Sequence, residues 1–360
     1  MARPTQAVIN LQHLKDNYQL AKGYSQKAYA VIKADAYGHG IVPVARALVD
    51  ADGLAVACMD EALKLRQQGI KNPILVLEGG FDEEEWLAAV EHDIEMVLHH
   101  QSQLAILLTE SHFKQIKLWL KIDTGMNRLG FRLKECTAIF EQCRHAGLNI
   151  TVLMSHFACA DDLYKEKTLD QFQLLEEILA QQKEAWPDLI LSSNNSAAIV
   201  GWPEVCDNIS RPGIMLYGSS PLINKDKHDE LLKPVMTLKS KIIASHTVTT
   251  GESIGYGDSW IANKTTRVGI VAIGYGDGYP RSAPSGTPVW CQGKYLQTLG
   301  RVSMDMLCID ISEEADIDVG SEVELWGEHV NVNEVAKLSK TISYELFCQL
   351  TPRVKRTYTE

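Results

Sequence analysis

No two of the eight cysteines, Cys58, Cys136, Cys143, Cys159, Cys206, Cys291, Cys308 and Cys348, form a CxxC pair. Scattered thiols argue against a disulfide framework and fit a reducing compartment. A zinc site fails on similar grounds, because His99 and His100 adjoin no cysteine or acid at ligand spacing. They read as ordinary strand-end histidines. A basic run is also missing. With 35 Lys+Arg against 46 Asp+Glu the formal charge is −11, which speaks against nucleic acid or an anionic membrane as partner. The opening MARPTQAVINLQHLKDN lacks a signal-peptide core, and no stretch approaches a membrane span, so a cytoplasmic chain is expected. Low-complexity segments are absent too. What remains is 360 residues, 45% hydrophobic and 22% charged, the composition of a globular protein with room for a large domain and a smaller one.

From Ala28 onward, short apolar runs alternate with amphipathic stretches. The strand candidates are AYAVIK, GLAVAC, PILVLE, IEMVL, IKLWLKI, ITVLMS, LILSS and a short NISR leading into RPGIMLYG. Between them lie helix-like segments such as VPVARALVDA, DEALKLRQQG and LDQFQLLEEILAQQKEAW, several opening with Asp or closing with Gly. Strict alternation predicts a parallel sheet. Eight strands match a closed (β/α)8 barrel, while alternation alone leaves an open doubly wound sheet as the alternative. Past Leu231 the texture changes to β-branched segments separated by Gly, Pro, Asn and Ser: KPVMTLKSKIIASHTV, TRVGIVAIGYG, TPVWCQGKYLQTLG, DMLCIDI and SEVELWG. The expected division is a barrel over 1–230 and a mainly β domain over 231–360, with a helical piece from VNEVAKLSK to ISYELFCQL. The hexapeptides GYGDSW and GYGDGY echo each other, and read as two similar glycine loops.

AYAVIKADAYGHG places Lys33 at the carboxyl end of the first strand, followed by turn-forming residues. In a barrel those strand ends face the active site. A partly desolvated lysine there has a lowered pKa and forms a Schiff base with a carbonyl. The bland alternative is a lysine reaching solvent. Ser196 reads either as a helix N-cap or as a phosphate ligand, and Gly213 as a turn glycine. Taken alone, Arg211 is a surface ion-pair residue, His156 a satisfied strand-end histidine and Tyr256 a loop aromatic.

These alternatives shift once the markers are read together. AVIKADAYGHG, KIDTGMNRLG, SHFACAD, NNSAA, SRPGIMLYG, GYGDSW, GRVSMDM and ISYELFCQLTPRVKRTY follow one another along almost the whole chain. In this order they resemble the alanine racemase family, barrel-type enzymes that use pyridoxal 5′-phosphate. The resemblance implies a (β/α)8 TIM-type barrel followed by a mainly β domain. It also implies a homodimer whose β domain completes the partner's active site, and interconversion of L-alanine and D-alanine by two bases. Lys33 is then the cofactor anchor and the base for the D-alanine proton. Tyr256 of the partner subunit is the base for the L-alanine proton. Inversion needs a proton removed on one face and returned on the other, which two opposed bases do directly.

By the same resemblance Tyr37, Ser196, Gly213, Ile214 and Tyr344 receive the phosphate. Arg211 faces the pyridine nitrogen and is held by His156. Arginine has only donors, so that nitrogen stays unprotonated and the ring is a weaker electron sink. Arg128 meets the substrate carboxylate and the phenolic oxygen, Met304 and Asp305 match partner-subunit residues that narrow the pocket and contact the substrate carboxylate, and Tyr275 stands at the entrance. Lys121 matches a lysine carbamylated in some members. Two departures, Ser192 where some relatives have histidine and Asn127 where glycine is common, are expected to touch no catalytic atom. Three other proteins share parts of this pattern: a serine or lysine racemase on this scaffold, a non-catalytic cofactor carrier of the single-barrel type, and a barrel decarboxylase. The carrier lacks the β domain, and the decarboxylase profits from a protonated ring that Arg211 opposes. Whether D-alanine is made for peptidoglycan or broken down stays open.

Overall fold

Parallel strands buried on both faces need continuous apolar runs, not alternation. That is the character of the runs after Ala28. In the computed structural model, which describes residues 3–224 and 231–360, they form strands Lys27–Val31, Gly53–Val56, Ile74–Val76, Glu95–Leu98, Leu118–Asp123, Ile150–Met154, Ile190–Ser192 and Ile209–Ser210. Each pairs in parallel with the next through the seventh, for example Leu54 with Ile74 and Leu120 with Leu153. The last strand then pairs with the first, Ile209 opposite Lys27. Between the seventh and eighth, Asn208 N donates to Leu191 O at 3.1 Å and Arg211 N to Asn194 O at 2.8 Å. The ring closes, which removes the open-sheet alternative. Inside it Glu95 is buried and accepts from Trp119 Nε1 at 2.9 Å and from the Tyr29 hydroxyl at 3.2 Å.

The described chain forms two compact units. The barrel unit comprises Leu14–Ala36 and Ile41–Lys233, and the other unit comprises Pro234–Glu360, Tyr37–Gly40 and the described residues through His13. The sequence reading assigns the N-terminal segment to the barrel. Instead its strand Gln6–Asn10 lies in the second unit, antiparallel to Met236–Val248 and parallel to Lys355–Thr359. The alternating burial of Gln6–Asn10 is that of a strand with one covered face, unlike the barrel strands. The second unit has eight strands, and the long strand Met236–Val248 pairs at one end with Glu322–Trp326 and at the other with Thr266–Val271. A register shift between Ile242 and Ala244 marks where it changes partners. Helices Val332–Leu338 and Ser343–Cys348 are embedded in this unit, as expected. None of the eight cysteines is in a disulfide. Among the described residues, no helix is long and apolar enough to cross a membrane.

Candidate active site

The first barrel strand continues its ladder through Ile32, whose N–H donates to Ala55 O at 2.9 Å, and Lys33 follows half-buried. The chain then does something rare. Ala34, Asp35, Ala36 and Tyr37 have φ of 53°, 52°, 54° and 50°, a left-handed turn built without glycine. Each such residue costs roughly 1–2 kcal/mol against the right-handed form. Dedicated carboxylates hold the turn. Glu61 takes Ala34 N–H on Oε1 at 2.7 Å and Ala57 N–H on Oε2 at 2.8 Å, while Asp35 Oδ1 takes Ile41 N–H at 2.9 Å. Glu61 therefore ties the residue after the lysine to the next strand's end. Nothing in its sequence position signals this.

Further cationic residues share the barrel mouth with Lys33. Lys121, on the fifth strand, is pushed down to about 7 by burial first, then by Arg211, Arg128 and Lys33. Burial and the same cations hold His156 well below the ordinary imidazole range, so it is neutral and free to accept. Arg211 is 4% exposed, not a surface residue, and burial pushes its guanidinium down to about 10, still charged at neutral pH. Its Nη2 donates to Ser155 O at 2.7 Å and reaches His156 Nδ1 at 3.5 Å, and its Nη1 donates to Ser192 Oγ. Every one of these acceptors is neutral. The nearby buried Asp207 instead accepts Ser193 and Asn194 N–H at 2.7 and 2.8 Å, fixing the turn that presents those acceptors.

Ser192, expected to touch no catalytic atom, does meet a cofactor-site candidate. It contacts the Arg211 guanidinium, where His156 is the longer contact. Asn127 has φ of 59°, a left-handed conformation that glycine adopts without strain. Its side chain accepts from Arg132 Nη1 at 2.6 Å, and the same Nη1 donates to Asp123 Oδ2 at 2.8 Å. Burial would raise Asp123, but the Asn127 and Gly125 N–H groups and Arg132 outweigh it and leave the carboxyl low. Arg132, not the exposed Arg128, takes this acid.

At the seventh and eighth strand ends, Asn195 caps the helix Ser196–Gly201 by accepting from Ala198 N–H at 3.0 Å. Ser196 is therefore not the cap. Its Oγ accepts from Gly213 N at 2.8 Å and Met215 N at 3.3 Å, bringing the expected serine and glycine together. Ile214 opens the 3-10 turn Ile214–Tyr217, and leading N–H groups of such turns have no partner within the helix. His99 Nε2 and Glu78 O are 2.9 Å apart, and His100 caps the helix Gln101–Leu107.

The remaining candidates belong to the β unit. Tyr37 is buried, with its ring 5.8 Å from that of Tyr344, and burial raises its phenol so that it remains a donor. The glycine loops both make 3-10 turns, Tyr256–Asp258 and Tyr275–Asp277. The first is anchored by Ile254 and Trp260 on a core with Val248, Val268 and Leu299, yet Tyr256 between them is 68% exposed. Met304 is 53% and Tyr275 38% exposed. Arg301 runs beside the first turn, 3.1 Å from where a Cβ on Gly257 would stand.

The family models "Alanine racemase, N-terminal domain" and "Alanine racemase, C-terminal domain" match residues 9–221 and 235–358. The alanine racemase of Pseudomonas syringae pv. syringae is 47% identical over 364 residues, 99% of each chain. The crystal structure of biosynthetic alanine racemase from Pseudomonas aeruginosa superposes with a TM-score of 0.93 at 41% identity, covering 99% of this chain and all of that one. The alanine racemase from Bartonella henselae, solved with covalently bound pyridoxal phosphate, gives a TM-score of 0.88 at 27% identity over 99% of both chains.

Proposed function

The chain belongs to the alanine racemase family, and from that premise we propose that Lys33 and Tyr256 of the partner subunit are the two bases that invert alanine. It is an isomerase of L-alanine and D-alanine and depends on pyridoxal 5′-phosphate. The convergence of Lys33, Lys121, Arg128 and Arg211 around neutral His156 carries the reading. Packed cations that outnumber the nearby acids Asp123 and Asp207 make a receptor for anions, and the cofactor's phosphate and phenolic oxygen and the substrate's carboxylate are anions. The donors present fit that cofactor.

When bound, the cofactor supplies a carbonyl for the substrate amine and a ring that withdraws electrons from the α-carbon. By the family resemblance, Ser196, the N–H groups of Gly213 and Ile214 and the hydroxyls of Tyr37 and Tyr344 would hold its phosphate. Lys33 would anchor it and would move the proton on the D-alanine face at Nζ. Tyr256 moves the proton on the L-alanine face at its hydroxyl. Arg211 offers only donors to the ring nitrogen and cannot protonate it, which moderates electron withdrawal and restrains transamination. Arg128 orients the substrate carboxylate with a planar fork, while Met304, Asp305 and Tyr275 limit the side chain admitted.

Lys121 at about 7 has an appreciable neutral fraction at neutral pH. The neutral amine adds to CO2, forming an N–C bond and releasing one proton, and the resulting carbamate anion offsets Arg128 and Arg211. Pairing in a homodimer is supported by the exposure of Tyr256, Met304 and Tyr275, whose side chains are not enclosed by their own β unit. The C-terminal match over 235–358 opposes the carrier alternative. The test incubates the protein and pyridoxal phosphate with L-alanine, L-serine or L-lysine and follows D-enantiomers by chiral chromatography. Fast D-alanine formation with little from the others is expected. A lead by serine or lysine overturns the pocket reading, and no racemisation overturns the mechanism.

A further inference from the structure

Asp277, in the second glycine loop, has a wholly buried side chain. Its Oδ2 accepts Gly274 N–H at 3.0 Å and Arg3 Nη2 at 2.8 Å. Its Oδ1 lies 3.3 Å from Arg353 Nε, a charge contact whose geometry makes no hydrogen bond. Arg353 thus stands on a fixed anion. From there its Nη2 donates to Asp305 Oδ1 at 2.7 Å, while Arg3 donates to the Asp305 carbonyl. The loops are laced by backbone as well, Gly276 N to Met304 O at 2.8 Å and Tyr275 N to Ser303 O at 3.1 Å. Glycine is required for this approach. A Cβ on Gly274 would meet Ser303 O at 2.2 Å, and one on Gly276 would meet Arg353 Nη1 at 2.7 Å.

An aspartate is a poor neighbour for an anionic substrate unless its charge is taken elsewhere. From this geometry we infer that Arg353, seated on Asp277, is a positioning residue that draws the Asp305 carboxylate away from the substrate carboxylate. The inference rests on placing Met304 and Asp305 at the substrate. With Arg3 and Arg353 against Asp277 and Asp305, the cluster is neutral by itself. Arg353 holds its proton more firmly than usual, chiefly through the Asp305 hydrogen bond and then through Asp277.

The test is kinetic and uses the holoenzyme. Arg353→Met should raise KM for alanine about tenfold with kcat within about twofold, as expected for repulsion of substrate and not loss of chemistry. Because the Arg353–Asp305 pair is 42% and 45% exposed on its two sides, the effect should shrink at high ionic strength. A purely structural loss would not respond in that way. Adding Asp305→Asn should bring KM back toward the parent. A fall in kcat at unchanged KM, an effect indifferent to salt, or no recovery in the double variant overturns the inference. If Arg353→Met does not fold, Arg353→Gln decides: a salt-sensitive KM rise supports the inference and an unchanged KM overturns it. Absence of alanine racemisation in the parent would overturn the functional reading itself, a separate outcome.

Discussion

The barrel mouth and the β-unit loops hold their candidate residues in opposite ways. In the barrel, Arg211 is 4% exposed and bonded to the groups around it, and Lys121 is 7% exposed among other cations. In the β unit, Tyr256 is 68% exposed on a loop whose flanking Ile254 and Trp260 are packed down. One region is organised before anything binds. The other presents exposed side chains from a packed base.

The strongest way to break this comparison is Lys33→Ala. It should abolish turnover, by at least about a thousandfold, and remove the absorbance of lysine-linked cofactor. Retained activity would show that the barrel mouth does not hold the reacting carbonyl. Tyr256→Phe should keep that absorbance yet slow α-proton exchange with L-alanine by about a hundredfold or more, and with D-alanine much less. Mixing Lys33→Ala and Tyr256→Phe chains should restore part of the activity by assembling one intact site. Equal losses in both directions, or no recovery after proven subunit exchange, would place Tyr256 elsewhere.

Arg211→Glu tests the buried side of the comparison. It should raise pyruvate formation from alanine, read by coupled reduction of the keto acid, because an acid lets the ring nitrogen protonate. No increase would undermine the moderating role of arginine. The smallest effect belongs to Ser192→Ala. Removing one neutral acceptor from a buried guanidinium should cost about 1–3 kcal/mol in unfolding free energy, measurable by denaturant titration. A negligible cost would mean that Ser155 O and His156 suffice.

Local chemistry made much of this legible. Lys33 stands at the end of an apolar run, Ser196 and Gly213 sit in loops suited to phosphate, and ordered markers linked both to one family. The left-handed turn after Lys33 was not legible, because Ala-Asp-Ala-Tyr has no glycine and the turn depends on Glu61, far away in sequence. Nor was Ser192, whose importance arises only when the eighth strand brings Arg211 beside the seventh.

The alternation that makes a parallel barrel and the β-rich second part are written locally in the chain. These follow from periodicity, turn chemistry and residue type, which are local. Tertiary structure alone decided that the strand Gln6–Asn10 joins the β sheet and that Ser192 bonds Arg211. It also decided that Lys121 is held near 7. Each depends on what distant chain segments bring within hydrogen-bond or Coulomb range, and on how much water they displace.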